Sequence, residues 1–344
     1  MPEFDFYRST VSFRCLKSLV TMVLRAFAIL LSVLLMAAGL PNMRVSPWQV
    51  VDLPTDRTLL DIDFIANSDR GWIVGDKGTL LETKDGGINW TASTLQTSNP
   101  DYYLTSISFD GDEGWVAGEP KVMLHTTDGG DGWAQIPLSD KLPGEPMLVE
   151  ATGPNSAEMV TTVGAIYSTD DGGRNWTALV DDAIGVLRNV NRRDDGSYVG
   201  VSARGNFYTL HRPGSRMWEP FNRDSSRRLQ NMGFGPNNSA WKLNRGAEVA
   251  FTDDVTSGKW EKAQRPGRTT SFGYLGATYQ DEKNFWIVGG SGTLVHSADG
   301  GQTWEQVKDA SRIPANFYAV KFLSPERGFI LGQSGTLLRY TPTI

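Results

Sequence analysis

The chain has 344 residues, with 33 Lys and Arg against 39 Asp and Glu, a formal net charge of −6 and one cysteine, Cys15. One thiol excludes internal disulfides and Cys₄ or Cys/His zinc sites. The mild acidity, without a basic surface interleaved with stacking aromatics, argues against a nucleic-acid reader.

The N-terminal segment, residues 1–43, reads as a targeting segment. Ala26 to Leu40 is an apolar or small-residue run of 15 residues preceded by Arg8, Arg14, Lys17 and Arg25, and Met22 offers a second start. That run is short for a transmembrane helix and suits the apolar region of a secretory signal. Leu35 to Leu40 resembles a lipoprotein cleavage box, but Leu40 stands where the acylated cysteine would be, so acylation there is chemically impossible. The expectation is export across a bacterial-type membrane, with a retained anchor as the alternative.

From Trp48 onward the chain repeats. Trp48, Trp90, Trp133, Trp176, Trp218, Trp260 and Trp304 are separated by 42, 43, 43, 42, 42 and 44 residues. A strand pair such as Gly71-Trp72-Ile73-Val74-Gly75 then Gly78-Thr79-Leu80-Leu81 recurs upstream of each later tryptophan and once more at the end of the chain, giving a second apolar ladder at Trp72, Trp115, Met159, Tyr198, Trp241, Trp286 and Phe329. A repeat of this length with several short strands predicts an all-β, seven-bladed β-propeller over residues 44–344. Four copies carry Ser/Thr-x-Asp-Gly-Gly-x-x-Trp, an Asp box: Thr83–Trp90, Thr126–Trp133, Thr169–Trp176 and Ser297–Trp304. There the Asp can hold the turn backbone while paired glycines take positive φ. The copies ending at Trp218 and Trp260 have decayed. The last copy lacks its Trp, whereas Trp48 arrives without strands, so residues near 46–53 are expected to complete the last blade and close the ring.

Charge is unevenly spread. Between Arg188 and Glu248 there are eleven basic residues, ten of them Arg, against five acidic ones. Propeller connectivity sorts these arginines. Loops between blades and between second and third strands share one face, gathering Arg204, Arg223, Arg227, Arg228 and Arg245. Loops between first and second strands, and between third and fourth, share the other, gathering Arg192, Arg193, Arg212 and Arg216. Arg188 falls within an innermost strand and could point into the channel. Arg favours planar bidentate contacts to carboxylates, so the sector predicts an acidic polypeptide partner or the headgroup zone of a membrane. The decayed Asp boxes in this sector suggest that turn regularity gave way to another demand.

Asp-box propellers include sialidases, which need an Arg triad, a Tyr–Glu nucleophile pair and an Asp acid. Arg312-Ile313-Pro314 mimics an element of that family but precedes the seventh blade rather than the first. Glu150 and Glu158 stand isolated in the third blade, and Asp61 and Asp63, at i and i+2 on the first inner strand, are expected to bind water. His125, His211 and His296 lie on third strands or their exits and read as structural. With no metal-binding His pair, phosphate loop or nucleophile elbow, no catalytic residue, metal or cofactor is expected. A binding scaffold is the leading reading, and a secreted propeller binding or cleaving glycans the alternative.

The run from Arg70 to Thr83, the closing run Gly328-Phe329-Ile330-Leu331-Gly332 to Leu338, and the Arg-rich middle together resemble the photosystem II stability/assembly factor family of cyanobacteria and chloroplasts. The resemblance covers residues 44–344. It implies a non-enzymatic protein in the thylakoid lumen or on the lumenal membrane face; the chain is expected to be monomeric and peripherally associated with the membrane, with the periplasm as the alternative location. The implied partners are newly made reaction-centre subunits and early photosystem II intermediates. The family's arginine-rich face carries over first to Arg204, Arg223, Arg227, Arg228 and Arg245, then to Arg192, Arg193, Arg212 and Arg216. Relatives are often lipoproteins, a pattern from which Leu40 departs. The expected role is to hold an acidic lumenal segment or C-terminal tail of a reaction-centre subunit until its partners arrive.

Overall fold

The computed structural model describes residues 44, 45, 47–93, 95, 101–221, 228–267 and 273–342. The targeting segment 1–43 lies outside the described residues, as do Arg223 and Arg227. Among the described residues there are seven antiparallel sheets, the blades of a β-propeller. In the first, Leu59–Phe64 is innermost, followed outward by Gly71–Gly75, Leu80–Thr83 and Thr91–Ala92. The fifth blade has three strands, with an isolated bridge from Val249 to Gln264 where a fourth would run. Among the described residues two short 3₁₀ turns, Val255–Ser257 and Lys308–Arg312, are the helical elements. No helix of the described residues is long and apolar enough to cross a membrane.

The seventh blade joins the two ends of the described chain. Trp48–Val51 pairs antiparallel with Leu337–Tyr340, and Arg44–Val45 adds a fifth strand outside it. This removes an open outer edge at the point where a propeller ring must close.

The ladders interlock from blade to blade. All seven residues of the second ladder are buried. Each intact Asp box lays its tryptophan against an aromatic of the blade before it: Trp90 on Phe329, Trp133 on Trp72, Trp176 on Trp115 and Trp304 on Phe251, with centroids 5.8–6.4 Å apart. Burying about 150–250 Å² of such a ring at about 25 cal/mol per Å² contributes roughly 4–6 kcal/mol before entropy is subtracted. The box itself is a local hydrogen-bond cage. Asp85 accepts from the backbone N–H of Ile88 and Asn89, and the Thr83 hydroxyl accepts from Gly87 N–H at 3.0 Å. Gly87 has φ +85°, and a Cβ there would sit 2.6 Å from the Phe329 ring, so close inter-blade approach and backbone conformation both demand glycine.

Inner strands present unpaired backbone groups to the channel, and side chains of one blade satisfy those of the next. Asp61 and Asp63 accept from the Ile107 and Phe109 N–H groups at 3.0 and 2.8 Å. Ser106 and Ser108 do the same for Val149 and Ala151. Asn191 and Asn231 donate to the carbonyls of Met232 and Leu275. The expectation that Asp61 and Asp63 bind water is therefore corrected: they clamp the second blade, and Lys321 of the seventh blade lies 3.2 Å from Asp61 and 3.9 Å from Asp63. Burial is the main influence raising the Asp63 pKa, and Lys321 opposes it.

Candidate partner-binding face

Arg204 occupies the turn between Tyr198–Ser202 and Tyr208–His211 in the fourth blade. Arg228 immediately precedes the inner strand Leu229–Phe234 of the fifth, and Arg245 lies in the turn between Ala240–Asn244 and Glu248–Thr252. Backbone bonds tie the three together. Leu229 N–H donates to Gly205 O and Arg245 N–H to Arg228 O, each at 2.7 Å. Gly205 is obligatory here, because its φ is +70° and a Cβ would lie 2.2 Å from Leu229 O. All three arginines are exposed, and among the described residues none forms an ion pair.

Arg188 extends the cluster into the channel wall. Its guanidinium donates to Gln230 at 2.6 Å and to Ala203 O, beside Arg204, at 3.0 Å. Burial first, and then repulsion from Arg245, lower its pKa, which places the Arg245 charge within electrostatic reach. Val186 is 58% exposed and accepts from Ala203 N–H, adding an apolar contact point. Three of the five acids of the sector are committed elsewhere: Glu248 pairs with Arg265 at 3.0 Å, Glu219 with Arg212 at 2.7 Å, and Asp195 with Arg193.

The other face is different. Arg192 is largely buried and donates to Glu158 at 3.1 Å and to the Tyr198 hydroxyl at 3.2 Å, while that hydroxyl donates to Glu158 at 2.6 Å. Glu150 lies 3.9 Å from the same guanidinium. Arg192 thus ties the third blade to the fourth, and the expectation of a free contact residue there is corrected. Arg193 is held by Asn237 O, Asn238, Asp195 and the face of Phe234. Of this group, Arg216 is exposed without an ion pair among the described residues.

The histidines stay within the framework. His125 stacks on Trp115 and bonds Glu113, His296 stacks on Trp286 and bonds Asn284, and His211 bonds Ser215 O. Arg312 pairs with Asp309 one turn away in its 3₁₀ element. Sequence reasoning missed the Arg192–Glu158–Tyr198 network and the Asp61–Asp63–Lys321 clamp. The recurring polar pairs Asp61/Asp63, Ser106/Ser108 and Asn189/Asn191, at one place in the repeat, were the available signal for the inter-blade clamps.

The profile of the family described as "Photosynthesis system II assembly factor YCF48" matches residues 40–341. The chain belongs to the Ycf48 family. A photosystem II assembly protein Ycf48 from Synechococcus sp. (strain JA-2-3B'a(2-13)) is 60% identical over 313 residues, covering 91% of this chain and 94% of that one. A photosystem II assembly lipoprotein Ycf48 from Trichormus variabilis is 52% identical, covering 91% and 93%. Among solved structures, one titled "YCF48 bound to D1 peptide" superposes with a TM-score of 0.83 at 50% identity, covering 86% of this chain and 97% of that one. YCF48 from Cyanidioschyzon merolae gives 0.81 at 40%, covering 86% and 99%.

Proposed function

We propose that this chain is a photosystem II assembly and repair factor that holds a segment of a newly made reaction-centre subunit against the face bearing Arg204, Arg228 and Arg245. One observation carries the reading: these three arginines are exposed, sit on segments joined through backbone hydrogen bonds, and have no acidic partners among the described residues. Keeping like charges together on an acidic protein is electrostatically unfavourable unless an acidic client neutralises them. Arg223 and Arg227 precede Arg228 in sequence and extend the same face in this reading. A relative whose structure is titled as bound to a D1 peptide names the class of client.

The role is holding, not turnover. Acids that could serve glycoside cleavage are engaged in the framework, Asp61 and Asp63 on backbone amides and Glu158 on Arg192 and Tyr198. In this reading residues 1–43 direct export to the lumenal side of the thylakoid. Where lipoprotein relatives would have an acyl anchor, this chain reaches the membrane through its client and its basic face.

The test is fluorescence anisotropy of a labelled D1 peptide with the Arg204→Ala, Arg228→Ala, Arg245→Ala triple variant. Affinity at least about tenfold weaker, with an unchanged melting temperature, is expected. Unchanged affinity would remove this face from the mechanism.

A further inference from the structure

The arginine face has an opposite pole across the channel mouth. One continuous cavity of about 720 Å³ is lined by Arg188 on one side and by Tyr103, Glu119, Met147 and Tyr318 on the others. Glu119 ends the strand Glu113–Glu119 of the second blade, next to the turn that corresponds to the Arg204 turn in the fourth. It is half-buried, and among the described residues its carboxylate makes no hydrogen bond or ion pair. Burial first, then repulsion from Glu145, raise its pKa.

Cations on that side of the mouth are already committed. Lys77 pairs with Asp101 at 3.3 Å. The Lys121 ammonium donates to Asp140 O at 2.6 Å, and its backbone N–H takes a Glu145 oxygen at 2.6 Å. Two aromatic rings stand open beside the unpaired carboxylate: Tyr103 is 43% exposed and Tyr318 36% exposed. Tyr103 faces Glu119 across the strand pair and lies within electrostatic reach of Asp76 and Glu119, with Tyr318 nearby, so these groups share one neighbourhood. A partly desolvated carboxylate with exposed aromatic faces near it is the chemistry that receives a lysine or arginine side chain, combining an ion pair with cation–π contact.

We propose that the channel mouth fixes the direction of the bound segment: carboxylates of an extended polypeptide lie on the arginine pole while a lysine or arginine of the same segment is held at Glu119 beside Tyr103 and Tyr318. This deepens the functional reading above and rests on it. Arginines alone would accept any acidic peptide in either orientation. A second pole of opposite sign rejects the reversed peptide by placing like charges together at both ends.

The test uses the full-length protein and fluorescein-labelled Gly/Ser peptides that carry paired aspartates and one lysine at scanned distances, each with a Lys→Gln counterpart. For the wild type, the best-spaced lysine should strengthen binding about fivefold over its Gln counterpart. For Glu119→Gln the gain should fall below about twofold. Tyr103→Ala should lessen the gain as well, and melting temperatures confirm that both variants fold. If no spacing gains from lysine, or if Glu119→Gln keeps the whole gain, the acidic pole is overturned while the arginine reading stands. If the Arg204/Arg228/Arg245 variant binds the aspartate peptides as well as the wild type does, the arginine reading fails instead. Failure of the wild type to bind any of them overturns both.

Discussion

The two faces of the fourth and fifth blades draw on the same Arg-rich stretch and put it to opposite uses. On one, Arg204, Arg228 and Arg245 are exposed and form no ion pair among the described residues. On the other, Arg192, Arg193 and Arg212 each meet a carboxylate. Net charge along the sequence reports neither outcome, because what decides is whether an acid lies on the same side of the sheet. Asp195 is two residues from Arg193 and Glu219 seven from Arg212, each pair within one hairpin. The Arg204 and Arg245 turns contain no acid. Asp boxes lie in loops between third and fourth strands, on the face opposite Arg204. Their decay in this sector therefore gave no room to the free cluster, contrary to the link suggested by the sequence.

If the engaged arginines serve the framework, removing one should act on stability and leave client binding alone. Arg192→Ala is expected to have the largest effect, about 2–3 kcal/mol by urea unfolding, because it strands Glu158 in a largely buried site. Arg192→Lys should recover part of the loss, since an ammonium keeps the charge but not the fork that reaches both Glu158 and Tyr198. A loss below about 0.5 kcal/mol would erase the distinction between the faces. The free group should behave in the converse way. Its triple alanine variant should flatten the salt dependence of D1 peptide binding, in addition to lowering affinity, while the urea midpoint stays in place.

A smaller effect separates intact boxes from decayed ones. Hydrogen bonds from Thr303 first, and from Ser297, hold the Asp299 pKa down at about 2, against about 3.9 in an unfolded chain. A depressed folded value means that its contribution is fully present above about pH 4 and is lost as pH falls through about 2. The urea midpoints of wild type and Asp299→Asn should therefore differ at neutral pH and converge near pH 2. The decayed box at His211-Arg212-Pro213-Gly214-Ser215 contains no Asp, so it adds nothing to this acid limb. A gap that persists unchanged to pH 2 would show that the box acts through turn shape alone.

The repeat made most of the fold legible. A tryptophan without strands at Trp48 and strands without a tryptophan at Gly328–Tyr340 foreshadow the pairing of Trp48–Val51 with Leu337–Tyr340. The interlock was not legible, because sequence spacing places Trp133 in its own blade but cannot say that its ring meets Trp72 of the preceding one. At the candidate site, connectivity sorted the arginines by face. It could not report pairing across blades: Arg192 and Glu158 are 34 residues apart and meet only through the register of adjacent sheets. Glu119 went unremarked for the related reason that a carboxylate without a partner has no signature in sequence.

The smallest expected effect tests the comparison from its weaker side. Arg212 and Glu219 are 49% and 52% exposed, so their 2.7 Å contact competes with water and salt on both partners. Pairs of this kind contribute about 0.2–1 kcal/mol, and Arg212→Ala should cost less than about 0.5 kcal/mol. Arg216 has no ion pair among the described residues, so Arg216→Ala should cost less still. Neither change should alter D1 peptide affinity measurably if the client sits on the Arg204 side. Arg216 is the sensitive probe, because it is exposed like Arg204 and differs in the face it occupies. Should Arg216→Ala weaken binding as much as Arg204→Ala, exposure rather than face would govern capture. The client would then have to reach both sides of the fourth blade.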